Sequence, residues 1–309
     1  MLPGIPATAP TAETLAAGWR RLQPGQTCQV LVVDVETGTS TVVWETDDAL
    51  LEAPNWTPDG QWLVLNSDGL LYALAVDASS AHRIETGAVR DANNDHVLSP
   101  DGSLVYLSSQ DGHLYEVPVT GGEARRVTDD ADGLRARYLH GISPDGATLA
   151  HIGARDEDGT TTYEVYTAAV ADGATERLTR TGRHHDGAEY SPDGAWIYVN
   201  SERNSTRPGH AQLFRMHPDG SDVTQLTHDE RVNWFPHPSP DGASLLHLSY
   251  APGVQGHPAN EPVQLRLSDA EGGGVRTLVE LFGGQGTVNV NSWAPDSRRF
   301  AYVAYPVAP

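Results

Sequence analysis

The tetrapeptide Ser-Pro-Asp-Gly recurs along the chain, and its spacing constrains the fold more than any other feature. Four copies begin at Ser99, Ser143, Ser191 and Ser239, and near-copies begin at Thr57 and Ala294. Successive motif prolines are separated by 42, 44, 48, 48 and 55 residues, counted along Pro58, Pro100, Pro144, Pro192, Pro240 and Pro295. Repeats of about 40–45 residues are typical of the blades of a β-propeller.

Four short strands can be assigned to each repeat. The motif is followed by an apolar strand, as at residues 103–108, and then by an alternating strand, as at residues 113–119. A glycine-containing turn leads to a last strand that ends in Leu-Thr or Val-Thr, and one further strand precedes the motif. Six such units predict an all-β protein, a six-bladed β-propeller with four antiparallel strands in each blade.

The motif itself is interpreted as the turn between the first and second strands of each blade. Proline presets φ for the first central position of a β-turn, aspartate accepts local backbone hydrogen bonds, and glycine adopts a left-handed conformation without steric cost. The six motif aspartates are therefore predicted to form turns and to take no part in catalysis. Ser297 replaces glycine in the last copy, which predicts a slightly strained or differently shaped turn.

The two ends of the chain are predicted to share one blade. Residues 29–35 and 40–44 have the pattern of a third and a fourth strand, whereas residues 288–293 and 300–305 supply a first and a second. Their pairing would close the ring and remove exposed sheet edges. We therefore predict one propeller domain over residues 26–309, preceded by an extension, residues 1–25, that forms a short helix or is disordered.

Composition limits the partners and the compartment. The 309 residues carry a net charge of −21, lysine is absent, and Cys28 is the only cysteine. An acidic surface repels phosphate backbones and anionic lipid, so neither nucleic acid nor a membrane is an expected partner. No apolar run is long enough to cross a bilayer, no internal disulfide can form, and the first residues lack the pattern of an export signal. The cytoplasm is the predicted location.

Loop length distinguishes the two faces of the predicted ring. The loops between second and third strands are long and individual, as at residues 153–161, 202–211 and 249–261, whereas the motif turns are short and uniform. Variable loops on a rigid scaffold are where binding residues concentrate. The first strand of each blade begins on the long-loop face beside the central channel, so this is the predicted functional face.

Polar residues precede the motif at matching positions in several blades. His96 and His140 lie four residues before their prolines, and Glu189 and His237 lie three residues before theirs. Ring symmetry is expected to direct all four side chains toward one mouth of the channel. Imidazoles and carboxylates that converge in a cleft suit general acid–base chemistry, so these four are the predicted catalytic residues.

The same imidazoles suit a metal ion. His96, His140 and His237 are candidate ligands for one divalent metal, Mn²⁺, Zn²⁺ or Ca²⁺. The sequence contains no phosphate-binding loop or dinucleotide fingerprint, so no nucleotide cofactor is expected.

Further residues near the strand starts are candidates for binding a small polar substrate. Arg137 would bind a carboxylate bidentately, and Trp234 would stack on a sugar ring. His185 and Asp186 are predicted at the rim, and His257 either closes over the funnel or lies on the surface. The candidates for hydrogen bonds to hydroxyl groups are Asn94, Asn233, Gln285 and Asn291.

Three stretches of the sequence resemble one known family. They are YSPDGAWIYVNSER at residues 190–203, NWFPHPSP at residues 233–240 and LFGGQG at residues 281–286. With the repeated motif, they are similar to the TolB-like, PD40-repeat β-propellers, in particular to a single-domain bacterial branch. The resemblance implies the propeller fold. It does not carry over the role of TolB, because the extra α/β domain of TolB has no counterpart in this sequence.

A more distant resemblance is to the oligogalacturonate lyases. That family implies a divalent metal held by histidines and a glutamine, and β-elimination on uronates. This sequence has Asn289-Val290-Asn291 where the lyase pattern has His-x-His, and six predicted blades where the lyases have seven.

Two functions remain open at this point. The first is an enzyme, a lyase or hydrolase that acts on a small polar substrate such as a carbohydrate or uronate derivative. The second is a non-catalytic scaffold of the TolB kind that binds a protein or a short peptide on the same face.

Overall fold

A computed structural model describes residues 19–307, and within them it contains 23 strands and no helix. Blade 1 consists of β3 (Glu52–Trp56), β4 (Trp62–Ser67), β5 (Leu70–Ala75) and β6 (Ala81–Ile84). Blade 2 consists of β7 (Ala92–Leu98), β8 (Leu104–Ser109), β9 (Leu114–Pro118) and β10 (Arg125–Arg126). Blade 3 consists of β11 (Ala136–Ile142), β12 (Thr148–Glu157), β13 (Thr160–Ala169) and β14 (Thr175–Arg177).

The remaining blades follow the same order. Blade 4 consists of β15 (His185–Tyr190), β16 (Ile197–Ser201), β17 (Gln212–Met216) and β18 (Thr224–Gln225). Blade 5 consists of β19 (Val232–Pro238), β20 (Ser244–Tyr250), β21 (Ala259–Asp269) and β22 (Arg276–Gly284). Blade 6 combines β23 (Arg299–Ala304) with β1 (Cys28–Asp34) and β2 (Ser40–Thr46). The six-bladed β-propeller is confirmed.

Ring closure by the two chain ends is also confirmed. β1 pairs antiparallel with β23, with Val30 opposite Val303 and Val32 opposite Ala301. The innermost position of this blade is irregular, since residues 287–293 join β23 through only a few hydrogen bonds and the bridge between Trp293 and Phe300. The Asn291 side chain accepts a hydrogen bond from the Trp293 backbone at 3.0 Å, and such local bonds compete with a regular ladder.

The motif turns have the predicted place and chemistry, because each lies between the first and second strands of its blade. The Ser99 hydroxyl donates to Asp101 Oδ1 at 2.6 Å, and the same oxygen accepts from the Ser103 backbone at 3.0 Å. The hydrogen bond from Ser99, with those from Ser103, lowers the pKa of Asp101 to about 2. Ser297 has a φ of 57°, so the last turn keeps the left-handed shape at the cost of strain.

The first strands of blades 1 to 5 all contain a register shift of the ladder. The shift falls between Ala92 and His96 in β7, and between Leu139 and Gly141 in β11, so that His140 is unpaired. β3, β15 and β19 have the shift at related places. A bulge of this kind redirects the side chains beside it, and here it lies at the channel.

The N-terminal extension is described only in part. Residues 19–25 are not helical, and the remainder of the predicted helix lies outside the described residues. The division into an extension, residues 1–25, and a propeller, residues 26–309, stays a prediction. No helix of the described residues is long and apolar enough to cross a membrane.

Candidate functional site

A polar cavity of about 400 Å³ opens on the long-loop face of the ring. All six blades contribute to it, mainly through the residues at the starts of their first strands. Its lining consists of Trp19, Arg20, Glu52, Asn93, Asn94, Asp95, Gln110, Tyr138, His140, Ile152, Tyr163, His184, Asp186, Phe235, His257, Gln285 and Asn289. We call it the mouth cavity. Of the residues predicted from the sequence, it includes Asn94, His140, Asp186 and Gln285.

One carboxylate pairs with two imidazoles at the centre of the mouth cavity. Nε2 of His140 lies 2.8 Å from Oδ1 of Asp186, and Nε2 of His257 lies 3.4 Å from Oδ2. β11, β15 and the loop after β20 supply these residues, so three blades meet at one carboxylate. Buried charges are tolerated when they are paired in this way.

His140 is held as an imidazolium. Its Nδ1 lies 3.0 Å from the Asn289 carbonyl oxygen, so both ring nitrogens face acceptors. Burial alone would lower the pKa of His140, but the negative charges of Asp186 and Asp95 outweigh it and raise the pKa to about 9. Burial would raise the pKa of Asp186, yet the His140 charge holds it well below its ordinary value. Both groups are therefore ionised at neutral pH.

Asp95 is a carboxyl group of the cavity whose pKa lies close to neutrality. Burial raises its pKa to about 6, and the nearby His140 only partly opposes this effect. Asn93 holds the carboxyl group, since its Nδ2 donates to Asp95 Oδ2 at 2.7 Å. A carboxyl group that titrates close to the working pH is suited to proton transfer. Sequence reasoning missed Asp95, although it lies directly before the predicted His96.

The His257 loop closes one side of the cavity. The His257 ring packs on Trp234 at a centroid distance of 4.6 Å, and its Nδ1 bonds to the Gln285 side-chain oxygen. That oxygen also accepts from Asn289 Nδ2 at 3.1 Å. Burial would lower the pKa of His257, but the hydrogen bond to Asp186 raises it. Of the two possibilities that the sequence left open for His257, the structure selects the one over the funnel.

Aromatic rings form another part of the wall. Tyr163 stacks on His184 at 4.7 Å with an interplanar angle of 8°, and Tyr138 lies 6.5 Å from Tyr163. His184 lines the cavity and His185 does not, because successive side chains along this segment point to opposite sides. The Nδ1 of His185 bonds instead to the Arg183 carbonyl oxygen at 2.8 Å. Of the two residues expected at the rim, Asp186 lines the mouth cavity and His185 does not.

Glu189, His237 and Asn291 form a separate network. His237 Nδ1 lies 2.6 Å from Glu189 Oε2, its Nε2 lies 2.7 Å from the Val288 carbonyl oxygen, and Asn291 donates to Glu189. Glu189 and Asn291 line a smaller cavity of about 180 Å³ among the motif prolines, at the other end of the channel. The network joins blades 4, 5 and 6. The predicted convergence of four catalytic side chains does not occur, since only His140 lines the mouth cavity.

His96 lies in neither cavity. Its Nε2 is 3.2 Å from the Val64 carbonyl oxygen, and burial lowers the pKa of His96 to about 4. The ring is therefore neutral and packed between blades 1 and 2. A catalytic or metal-binding role for His96 has no support in this position.

Two predicted substrate-binding residues bond to internal partners. Arg137 is buried, and its guanidinium donates to the Gly112 carbonyl oxygen at 2.7 Å and also pairs with Asp132. Asn233 donates to Asp229 Oδ1 at 3.0 Å and accepts from the Ser249 hydroxyl at 2.7 Å. Both residues hold loops in place and neither reaches the mouth cavity.

Trp234 is also placed differently from the prediction. Its side chain is 1% exposed and packs behind His184 and His257, so it cannot stack on a ligand. Phe235, the next residue, lines the cavity instead, and its φ of 54° marks the register shift in β19. The shift therefore decides which of two neighbouring aromatic residues faces the channel.

The predicted metal site does not fit the residues present. Among residues 19–307, no group of three or more His, Cys, Asp or Glu side chains is arranged to hold a metal ion. The rings of His96, His140 and His237 each bond to a different backbone carbonyl oxygen. No step through a metal is therefore derived for this chain.

The fold and the mouth cavity define a closed six-bladed propeller with a polar site on its long-loop face. A family profile described as the TolB beta propeller domain, PD40, matches residues 139–260. The uncharacterized protein Atu1656 of Agrobacterium fabrum is 42% identical over 279 residues, which cover 89% of this chain and 91% of that protein. The chain belongs to the TolB-like, PD40-repeat β-propeller family.

Solved structures agree with this assignment. The solved structure of an Agrobacterium tumefaciens protein, provisionally described as TolB, matches this chain with a TM-score of 0.83 and 40% sequence identity. The match covers 92% of this chain and 99% of the other chain. An oligogalacturonate lyase in complex with manganese has a TM-score of 0.56 at 16% identity, with 85% of this chain and 75% of the lyase covered. At that identity, the likeness to the lyase shows the fold alone.

Proposed function

We propose that the mouth cavity binds a small, hydroxyl-rich molecule of the carbohydrate class and that Asp95 transfers a proton on it. The observation that carries this proposal is the Asp95 carboxyl, with a pKa of about 6, beside the His140 imidazolium in one enclosed cavity. Titratable groups whose pKa is shifted and that lie in a cleft mark functional sites more often than groups elsewhere on the protein do.

The chemistry of the lining supports a carbohydrate. Side-chain amides donate and accept at the same time, which suits hydroxyl groups, and Asn94, Gln110 and Asn289 bring them to the wall. Tyr163 and Phe235 add aromatic surface against which the apolar face of a sugar ring packs. Placed polar groups fix the orientation of a small molecule in its site, and the aromatic rings supply apolar contact.

The two central groups have complementary parts in the reaction. Ionised Asp95 takes a proton from the carbon next to the carboxylate of a uronide, the bond from the neighbouring carbon to the bridging oxygen breaks, and that oxygen receives the proton. The products are an unsaturated uronide and a shortened chain. His140 supplies a fixed positive charge for the negative charge that develops, and Asp186 keeps His140 protonated and oriented.

The experiment is an assay of the purified protein on galacturonate oligomers and, in parallel, on neutral glycosides. Formation of a conjugated double bond identifies a lyase, and new reducing ends without it identify a hydrolase. Asp95→Asn is expected to lower turnover about 10²- to 10⁴-fold and to keep binding, whereas His217→Gln, a surface variant on blade 4, leaves both unchanged. Absence of binding to every saccharide would overturn the proposal.

Family membership supports a second candidate, a non-catalytic scaffold that binds a short peptide at the same face. Capture of unstructured peptides by the wild type and loss of capture in Asp186→Asn, with no response to any saccharide, would favour it. In either case the expected partner is a small molecule or peptide.

The proposed compartment is the cytoplasm. The single cysteine, which is buried and free, supports this location because it removes any role for disulfides in folding. Fractionation of cells that express the full-length protein tests it, and recovery in a periplasmic extract would contradict it.

A further inference from the structure

We propose that residues 19–26, which we call the strap, close the mouth cavity on one side, so that the cavity binds the end of a saccharide chain. This inference rests on the proposed carbohydrate function and adds to it the part of the substrate that is bound. A short saccharide or a chain end would enter, and the interior of a polymer would not.

The strap is attached firmly at its C-terminal end. Gln26 Nε2 donates to Asn260 Oδ1 at 2.7 Å and to the Tyr305 carbonyl oxygen at 2.8 Å. The Thr27 backbone donates to the Pro306 carbonyl oxygen at 2.9 Å. These contacts hold the strap against the closing strands of blade 6.

The strap then crosses to blade 1. Arg20 lies 3.4 Å from Glu52 through Nη2, donates to the Gln285 carbonyl oxygen, and stacks over the Tyr305 ring at 4.2 Å. Arg21 pairs with Asp68 at 3.1 Å. The strap is thus fixed on both sides of the gap between blades 6 and 1, and its path is set by several independent contacts.

Trp19 completes the wall of the mouth cavity above the short turn between β4 and β5. Only Asp68 and Gly69 connect β4 and β5, so blade 1 has no long loop on this face. The Trp19 ring lies so close to Gly69 that a Cβ placed there would come within 3.0 Å of it. The strap therefore occupies the place that a long loop takes in blades 4 and 5, and Trp19 and Arg20 line the mouth cavity.

The cavity is closed on two sides and small. The strap bounds it beside blades 6 and 1, and His257 bounds it beside blade 5. Its volume of about 400 Å³ is near the lower end of the range for ligand pockets and accommodates about one or two sugar rings. A polymer that passed through would need an exit under the strap, where Arg20 and Glu52 pair.

The test compares ligands of increasing length on the wild type: galacturonic acid, digalacturonate, trigalacturonate and polygalacturonate. Calorimetry is expected to give an affinity per chain that stays within about twofold from the dimer upward, because each chain offers one end of the required kind. An affinity per chain that rises with the number of internal units would overturn the inference and leave the carbohydrate function standing. No binding of any member, nor of the neutral glycosides, would overturn both.

Trp19→Ala opens the wall and is expected to raise the affinity for the polymer relative to the dimer. The matched control is Trp62→Ala, which removes an equal side chain at the motif face of blade 1. Trp19→Phe keeps an aromatic ring in the wall and allows a second measurement, the change in tryptophan fluorescence on ligand binding. Digalacturonate should change the tryptophan fluorescence of the wild type and of Trp62→Phe, and most of that change should be lost in Trp19→Phe, where Trp234 remains behind the cavity wall. Persistence of the full signal in Trp19→Phe would place the ligand away from the strap.

Discussion

The imidazole of His140 and the carboxylate of Asp186, supplied by adjacent blades, form a buried ion pair with 2.8 Å between Nε2 and Oδ1. Neither residue has an equivalent partner along its own strand. The pair exists only because the ring sets β11 beside β15, and each of its members determines the protonation of the other.

Removal of the Asp186 charge should change the titration of His140. In Asp186→Asn we expect the pKa of His140 to fall from about 9 toward its ordinary value, because burial is then opposed only by the weaker effect of the Asp95 charge. NMR titration of the ring protons measures this shift. In Asp222→Asn, an exposed aspartate on blade 4, the His140 titration should be unchanged, and an equal shift in both variants would contradict the assignment.

The stability of the protein should fall with pH above neutrality. The pKa of His140 is raised in the folded state, from 6.5 to about 9, so its stabilisation is complete below pH 6.5 and is lost as pH rises through 9. We expect the free energy of unfolding to decrease on the order of 2–3 kcal/mol over this interval, with His257 acting in the same direction. Urea unfolding at several pH values measures it.

His140→Gln should flatten that decline, whereas the surface variant His217→Gln should reproduce it. A wild-type profile that is level between pH 6.5 and 9 would show that His140 is not held as an imidazolium.

Turnover should depend on pH through two groups. Asp95 must be ionised and His140 protonated, so kcat/KM is expected to rise through about pH 6 and to fall through about pH 9. Asp95→Asn should lower kcat about 10²- to 10⁴-fold, the usual range for loss of a proton-transfer group. If Asp95→Asn keeps a normal kcat and the same rise of kcat/KM on the acidic side of the profile, another residue is responsible for that rise.

Substitution of Glu189 should lower the stability of the protein and leave ligand binding in the mouth cavity unchanged. Glu189→Gln replaces the charge beside buried His237 and is expected to cost about 1–3 kcal/mol in urea unfolding. Digalacturonate affinity should be unchanged, since Glu189 lines the cavity at the other end of the channel. Glu230→Gln, which affects an exposed ion pair with Arg207, is the control and should cost less than about 1 kcal/mol.

Substitution of Gly242 measures how much the left-handed backbone conformation of a motif turn contributes to the stability of the protein. Its φ is 70° and a Cβ placed there would contact nothing within 4 Å, so Gly242→Ala introduces strain without a clash. We expect a loss of about 1 kcal/mol in the free energy of unfolding. Ser297→Gly, at a φ of 57°, should be neutral or slightly stabilising. A gain in stability from Gly242→Ala together with a loss from Ser297→Gly would contradict the turn assignment.

Most of the fold follows from local patterns. Each motif turn forms from its own serine, aspartate and glycine, as the 2.6 Å bond from Ser99 to Asp101 illustrates, so six copies were enough to predict six blades. The closing pair, β1 with β23, was predictable because an incomplete pattern at one chain end matched the missing strands at the other.

The candidate site was predictable only in outline. The positions counted back from the motif prolines included His140, Asp186 and Asn94, and these line the mouth cavity, as does Gln285. The same count directed His96, Glu189 and His237 to the mouth, which they do not line, because ring symmetry was expected to aim positions three and four residues before the proline at one point. Asp95 and Phe235, which the count passed over, are unpaired residues of the register shifts.

The number of blades, the turns between their strands and the closure of the ring follow from the sequence, because these features depend on residues close in the chain or on strand patterns that repeat. Which polar residues meet depends instead on how the blades pack. A register shift in a strand moves its side chains from one neighbour to another, and the shift is stabilised by contacts with adjacent blades. The pairing of His140 with Asp186 and the place of the strap over the cavity are consequences of that packing.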